Sequence, residues 1–388
     1  MYCELPTHRQ NKDEMLALLK ALAWSDARIA ASLLLKRSID LDMLDGYCHR
    51  ERMGPYVYAS IKKLNLDALF PRRVLRALEG QYREQQQKSK ALAETLNAIH
   101  GEFGRARIDH MLLKGFHLAQ TYWGGTDKRF IWDLDILVKP EDLPAVFSAL
   151  SNCGFERNRN ILRLFSLFRL MTHAIGCERV DGLSLDLHWT FRTLPGARLD
   201  HDAVWERGET FRLFGGNYRA PCAEHLLLLI VLGIAHDIVR CKCRLRGLWD
   251  VYLLLRAHPE FDWPVFFVNR EKDGFIGIAV EILWIIIWRL DCRDEFPALV
   301  KMLEESFWAR RPADTRLASL LRAKPGRSYW NLGWYARLQP VSQRRFLLWW
   351  IWTAPFRYLL IKWANAGATD GIRASPAKQS RTFRSAIR

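Results

Sequence analysis

The sequence has few cysteines, eight in 388 residues, and no Cys-x-x-Cys pair. That excludes a disulfide framework and the usual zinc-ribbon and redox signatures. The apolar run ILWIIIW (282–288) is too short to cross a bilayer and reads as a buried helix. No internal repeat is visible. The opening stretch MYCELPTHRQNKDEM is too polar for a secretory leader, which predicts a cytoplasmic protein. Acids are also in short supply: Lys+Arg 58 against Asp+Glu 42 leaves a net charge of +16 and a pI near 9.6. An acidic partner is expected from this balance, whether nucleic acid, nucleotide or membrane surface. A composition 49% hydrophobic and 26% charged is that of a chain able to bury full cores, not of a disordered one.

The positive charge is concentrated near the end of the chain. Residues 301–388 hold 17 basic residues and four acids, a difference of +13. Nine of the 16 tryptophans lie between Trp284 and Trp363. Within this region RRFLLWWIWTAPFRYLLIKWA (344–364) has Trp and Tyr beside Arg and Lys, with Pro355 and Arg357 interrupting it. It reads as a buried helical hairpin or as an interfacial segment, rather than a spanning helix. The region supplies two partner expectations: nucleic acid, and an anionic membrane surface that would place the protein peripherally at the inner membrane face.

Periodicity divides the chain into four parts. Residues 1–104 carry apolar positions at three- and four-residue spacing and read as a helical region, with Pro71 where a helix begins. Residues 105–220 read as a small α/β core. IDHMLLKG is a short apolar run, FHLAQTYW a helix, and FIWDLDILV a strand; KPEDLPAVFSALSNCGF is a helix ending at Gly154. HAIGCERV and LSLDLHWTF flank Asp181-Gly182 as a hairpin, and ETFRLF and NYRAP flank Gly215-Gly216 as a second. Residues 221–370 are helical again, basic and Trp-rich towards their end, and 371–388 read as a disordered basic tail.

Chemistry is expected in the α/β core. Asp133 and Asp135 stand two apart on a predicted strand, so both point to one face, with Trp132, Leu134 and Ile136 on the other. Carboxylates about 6–7 Å apart repel unless a cation lies between them. Hard divalent ions such as Mg²⁺ take such oxygens together with substrate phosphates. Asp186 repeats the pattern on a second alternating strand, with Ser184 and His188 on its face. If the two strands are neighbours, three carboxylates converge as in a two-metal phosphoryl-transfer site. The plain alternative for Asp-x-Asp is the polar face of an edge strand. Lys114-Gly115 follows an apolar run and opens a helix, a place where backbone approaches phosphate; a simple turn glycine reads the same way. His225, His236, Cys241 and Cys243 lack the usual zinc spacing.

Taken in order, LLKGFHLAQTYW, Arg129, WDLDILV, PEDL…GF and LSLDLHW resemble the uncharacterised bacterial nucleotidyltransferase family, a branch of the DNA polymerase β-like superfamily. The segment with His236, followed by Leu245-Arg-Gly-Leu-Trp-Asp250, is also similar to that family. The resemblance covers about residues 15–260. It implies an α+β fold, a small polymerase β-like sheet core between N-terminal and C-terminal helical regions. It implies an enzyme that moves a nucleoside monophosphate from an NTP such as ATP to a hydroxyl or amine acceptor. Asp133, Asp135 and Asp186 would be the catalytic residues and ligands of Mg²⁺, with Mn²⁺ as substitute. Lys114, Gly115, Arg129 and His188 would bind the nucleotide; His188, on the strand face of Asp186, either orients that acid or bridges strand and helix. The phosphate loop departs from the superfamily, with Phe116 where Ser or Gly usually follows the glycine. The other reading is a degenerate fold that binds nucleotide, nucleic acid or a membrane surface without turnover.

Overall fold

The helix α5 (Arg72–Arg105) organises the chain. At 34 residues it is about 51 Å long, and its apolar positions recur along one face. Val74 and Leu78, near its start, are buried in a cluster made by helices. Leu92, Leu96, Ile99 and Phe103, near its end, are buried against a sheet. One continuous helix therefore joins two cores. In this computed structural model the described residues are 6–23, 26–35, 40–155, 173–191, 199–239 and 243–305.

The architecture is α+β. Helices α1 (Pro6–Ala23), α2 (Ala27–Leu35), α3 (Leu41–Glu51) and α4 (Gly54–Lys63) precede α5. The sheet follows: β1 (His110–Leu112), α6 (Phe116–Thr121), β2 (Leu134–Val138), α7 (Leu143–Asn152), β3 (Ala174–Glu178) and β4 (Ser184–His188). Next come α8 (His201–Glu206) and the hairpin β5 (Glu209–Leu213) and β6 (Gly216–Ala220). Five helices complete the described chain: α9 (Ala223–Val239), α10 (Leu245–Ala257), α11 (Trp263–Asp273), α12 (Ile276–Arg289) and α13 (Pro297–Glu305). The run ILWIIIW lies within α12, where Ile282, Leu283 and Ile285 to Ile287 are all 0% exposed. Among the described residues, no helix is long and apolar enough to cross a membrane.

The four-stranded sheet has the order β1-β2-β4-β3. β2 runs antiparallel to β1 and parallel to β4, and β3 closes on β4 as an antiparallel hairpin. Gly182 sits at φ 82 in that hairpin turn, a conformation that costs glycine nothing. The second hairpin turns one residue earlier than its Gly-Gly pair suggests. Phe214 (φ 49) and Gly215 (φ 81) form the loop, and Gly216 already pairs with Leu213 in the ladder. Two positive-φ residues in a two-residue loop match the twist of the flanking strands.

Alternation along β2 sorts its side chains. Leu134, Ile136 and Val138 enter the core made with α5 and α7, while Leu137 enters the core of the surrounding helices. The latter core contains residues of both helical regions, for example Leu18, Val57, Leu228, Trp249 and Ile285. One expectation is corrected here. Trp132 does not share the buried face of Leu134 and Ile136; it is 55% exposed. The chain bends at Asp133 and β2 begins only at Leu134, so strict alternation does not extend back to Trp132.

The segments 344–364 and 371–388 lie outside the described residues, as does all of 301–388 beyond residue 305. Because Leu96 is fully buried at the junction of helix and sheet, Leu96→Ala should destabilise the fold by about 2–5 kcal/mol, read as a lower urea midpoint at unchanged slope.

Candidate active site

The pairing of β2 with β4 puts Asp135 directly beside Asp186 in a parallel ladder. Leu134 pairs with Leu185 and Ile136 with Leu187, so the apolar partners register the acids. Asp135, Asp186 and His188 place ligand atoms within 4.8 Å of one another. Among the described residues this is the one such group of His, Cys, Asp or Glu. Asp133, at the bend before β2, stands outside it but lines the same cleft as Asp135.

Asp135 is buried, and burial opposes its ionisation. Lys114 and His188 outweigh that cost. Lys114 Nζ lies 2.8 Å from Asp135 Oδ1, and His188 Nε2 lies 3.2 Å from the same oxygen. Together they hold the Asp135 carboxyl well below the usual carboxylate range. A carboxylate only accepts, so His188 carries its proton on Nε2 and donates it. Asp133 behaves oppositely. Burial first, then the negative charges of Asp135 and Asp186, push it up to about 6 against the pull of Lys114 and Arg246. Two neighbouring acids with divergent affinities for protons mark a site short of positive charge. An oxygen-rich set of this kind fits a hard divalent cation such as Mg²⁺ or Mn²⁺.

Lys114 closes the turn after β1, where Leu113 N–H donates to the Asp135 carbonyl at 3.1 Å. Gly115 follows at φ 46, with Ile131 and the Asp133 carbonyl about the position a side chain would take (3.6 and 3.7 Å). The turn thus packs its backbone against the segment that carries the acids. That segment is tied down by the polar edge of α5: Gln85 Oε1 accepts from Ile131 N–H at 3.1 Å, and Ser89 Oγ donates to the Thr126 carbonyl at 2.7 Å. Gln85 and Ser89 are themselves 2% and 4% exposed, so these buried polar groups hold the loop in place.

The cleft itself has a volume of about 220 Å³. Its cations are Lys114, Arg129, Arg52 and Arg246. Arg129 is largely committed elsewhere. Its Nε and Nη2 each lie 2.7 Å from the two oxygens of Asp250 on α10, a bidentate buried pair that Trp123 Nε1–H joins at 2.9 Å. Arg129 therefore borders the cleft while tying the sheet loop to the C-terminal helices.

Arg52 and Arg246 were not singled out by sequence reasoning. Arg52 sits between α3 and α4 at φ 59, a left-handed position that costs an arginine and favours glycine. Arg246 is in the first turn of α10, where the helix dipole disfavours a cation. Its Nη1 donates to the Phe130 carbonyl at 2.8 Å, and its buried Nε has no hydrogen-bond partner. Burial and the neighbouring Arg129 push the Arg246 guanidinium down to about 10. Both arginines occupy positions unfavourable to them and line the cleft beside the acids. The only sequence signal was the Leu245–Asp250 segment, which carries Arg246.

Among the described residues, the candidate zinc ligands His225, His236 and Cys243 form no metal-holding group. His225 Nδ1 pairs with Cys222 Sγ at 3.3 Å, and His236 Nδ1 stands 3.8 Å from Asp237. Cys241 lies outside the described residues.

The profile of a family described as uncharacterised nucleotidyltransferase matches residues 37–286, more than half of the chain. The chain belongs to this family. The match spans α3 through most of α12, and so takes in the acids, the Lys114-Gly115 turn and the arginines from both helical regions. No curated protein and no solved structure is significantly similar to the chain. Nucleotidyl transfer is the activity class that the family supports, and the Asp135, Asp186 and His188 group offers it a metal site.

Two outcomes are expected. Asp250→Ala strands the buried Arg129 guanidinium and should cost about 3–5 kcal/mol in a denaturant titration. Asp133→Asn removes an acid whose affinity for its proton is raised on folding. Such an acid lowers stability as pH rises from its unfolded value of 3.8 through about 6. The variant should therefore be more thermostable than wild type at pH 7.5, by about 1–2 kcal/mol after solvent screening, with the gap closing at pH 4. A gap independent of pH contradicts this electrostatic account.

Proposed function

We propose that the protein is a metal-dependent nucleotidyltransferase that moves a nucleoside monophosphate from an NTP to a hydroxyl or amine acceptor. The observation that carries this reading is the cleft that Asp133 and Asp135 line together with Lys114, Arg52 and Arg246, with Asp186 paired to Asp135 on the neighbouring strand. In this reading the cations bind the triphosphate and the acids face the α-phosphate. Mg²⁺ held by Asp133, Asp135 and Asp186 would neutralise charge that develops on the phosphates and favour the ionised acceptor.

The chain's own residues do the rest. His188 donates to Asp135 and fixes that carboxylate's orientation. Lys114, paired with Asp135 in this structure, is the cation within reach of an incoming phosphate. Asp186 takes the acceptor's proton as the acceptor oxygen or nitrogen bonds to the α-phosphorus. The bond from that phosphorus to the bridging oxygen breaks, and pyrophosphate leaves. Gly115 lets the backbone approach the triphosphate, and Arg129 holds the loop against α10.

With α-labelled NTPs, Mg²⁺ or Mn²⁺ and a cell extract as acceptor pool, label should enter a product with wild-type protein. Asp135→Asn should lower that transfer by at least about a thousandfold while the far-ultraviolet spectrum is retained. Unchanged turnover in this variant would remove the cleft as the site of chemistry.

A further inference from the structure

Two cavities meet at Trp132 and Arg52. One is the cleft of acids and cations. The other, about 230 Å³, is closed by His49, Pro55, Gln81, Glu84 and Phe130 and shares with the first only Trp132 and Arg52. Their chemistry differs. The second has Arg52 as its one Lys or Arg, and its character comes from Phe130 and Trp132. These two rings are parallel within 10° at 6.1 Å between centroids. The Arg52 guanidinium lies 4.7 Å from the Phe130 centroid, and Lys88 Nζ lies 5.1 Å from that of Trp132. Cations thus buttress an aromatic wall whose outer member remains 55% exposed. Trp132 is also the residue before Asp133, so this wall adjoins the acids.

We infer that the second cavity is the nucleobase subsite of the NTP, with Trp132 as the stacking surface and Arg52 at the boundary towards the α-phosphate. The inference rests on the transfer reading above and adds where the nucleoside lies. A hydroxyl or amine acceptor needs no aromatic wall, whereas a flat heterocycle one sugar away from a phosphate does. Stacking on an aromatic face contributes about 1–3 kcal/mol per base whatever the base. Trp132 then holds the base and Lys114 and Arg246 the triphosphate, with Arg52 between the two subsites.

The test is equilibrium binding by calorimetry, without turnover, to the full chain in Mg²⁺. The probes are α,β-methylene-ATP and inorganic tripolyphosphate. Wild type should bind the nucleotide more tightly than tripolyphosphate. Trp132→Ala should weaken nucleotide binding about tenfold or more and change tripolyphosphate binding less than about twofold. Trp132→Phe should restore most of the loss, and unchanged tripolyphosphate binding in Trp132→Ala separates lost stacking from a folding defect. Arg246→Gln should weaken both probes. Equal wild-type affinity for the two probes, or a Trp132→Ala effect equal on both, would overturn the nucleobase subsite while leaving the transfer reading intact. If wild type binds neither probe, the transfer reading fails as well.

Discussion

Everything at this site answers one repulsion. Two parallel strands carry acids at paired positions, Asp135 beside Asp186, with Asp133 a short step away. Apolar partners on the opposite face lock that register, because slipping one strand by a residue would drive the acids into the core of α5 and α7. The acids cannot move apart without unpairing the sheet. They are therefore met by cations, Lys114 from the turn after β1 and arginines from the surrounding helices.

Those helices come from both ends of the family match. Arg52 lies in the junction between α3 and α4, and Arg246 opens α10. Residues of the two helical regions share one hydrophobic cluster, so the elements that carry these cations are packed together. The Arg129–Asp250 pair adds a direct bond between the loop bearing the acids and α10. Its guanidinium and carboxylate are both buried, and each needs the other to offset the loss of water.

The long helix α5 has two roles written on two faces. Its apolar positions join the helical core to the sheet core, and its buried Gln85 and Ser89 hold the loop before Asp133 by hydrogen bonds. A polar residue on such a helix reads from the sequence as a solvent-facing position, and only the loop folded over it shows otherwise. Trp132 illustrates the same limit. Alternation assigned it to the core, but the bend at Asp133 turned it outward to stack on Phe130.

Local patterns therefore settled much of this protein in advance. Period-two alternation marked β2, β3 and β4; the Asp-Gly turn marked the β3–β4 hairpin; and the LKG, DxD and LDLHW segments marked the family to which the chain belongs. These signals are short-range, because strand pleat and turn geometry are set within a few residues. What only the tertiary structure decided is who faces the acids. Arg52 and Arg246 lie tens to more than a hundred residues from Asp133, and no spacing rule connects them. They meet because hydrophobic burial closes the helices on the sheet, and burial is blind to sequence distance.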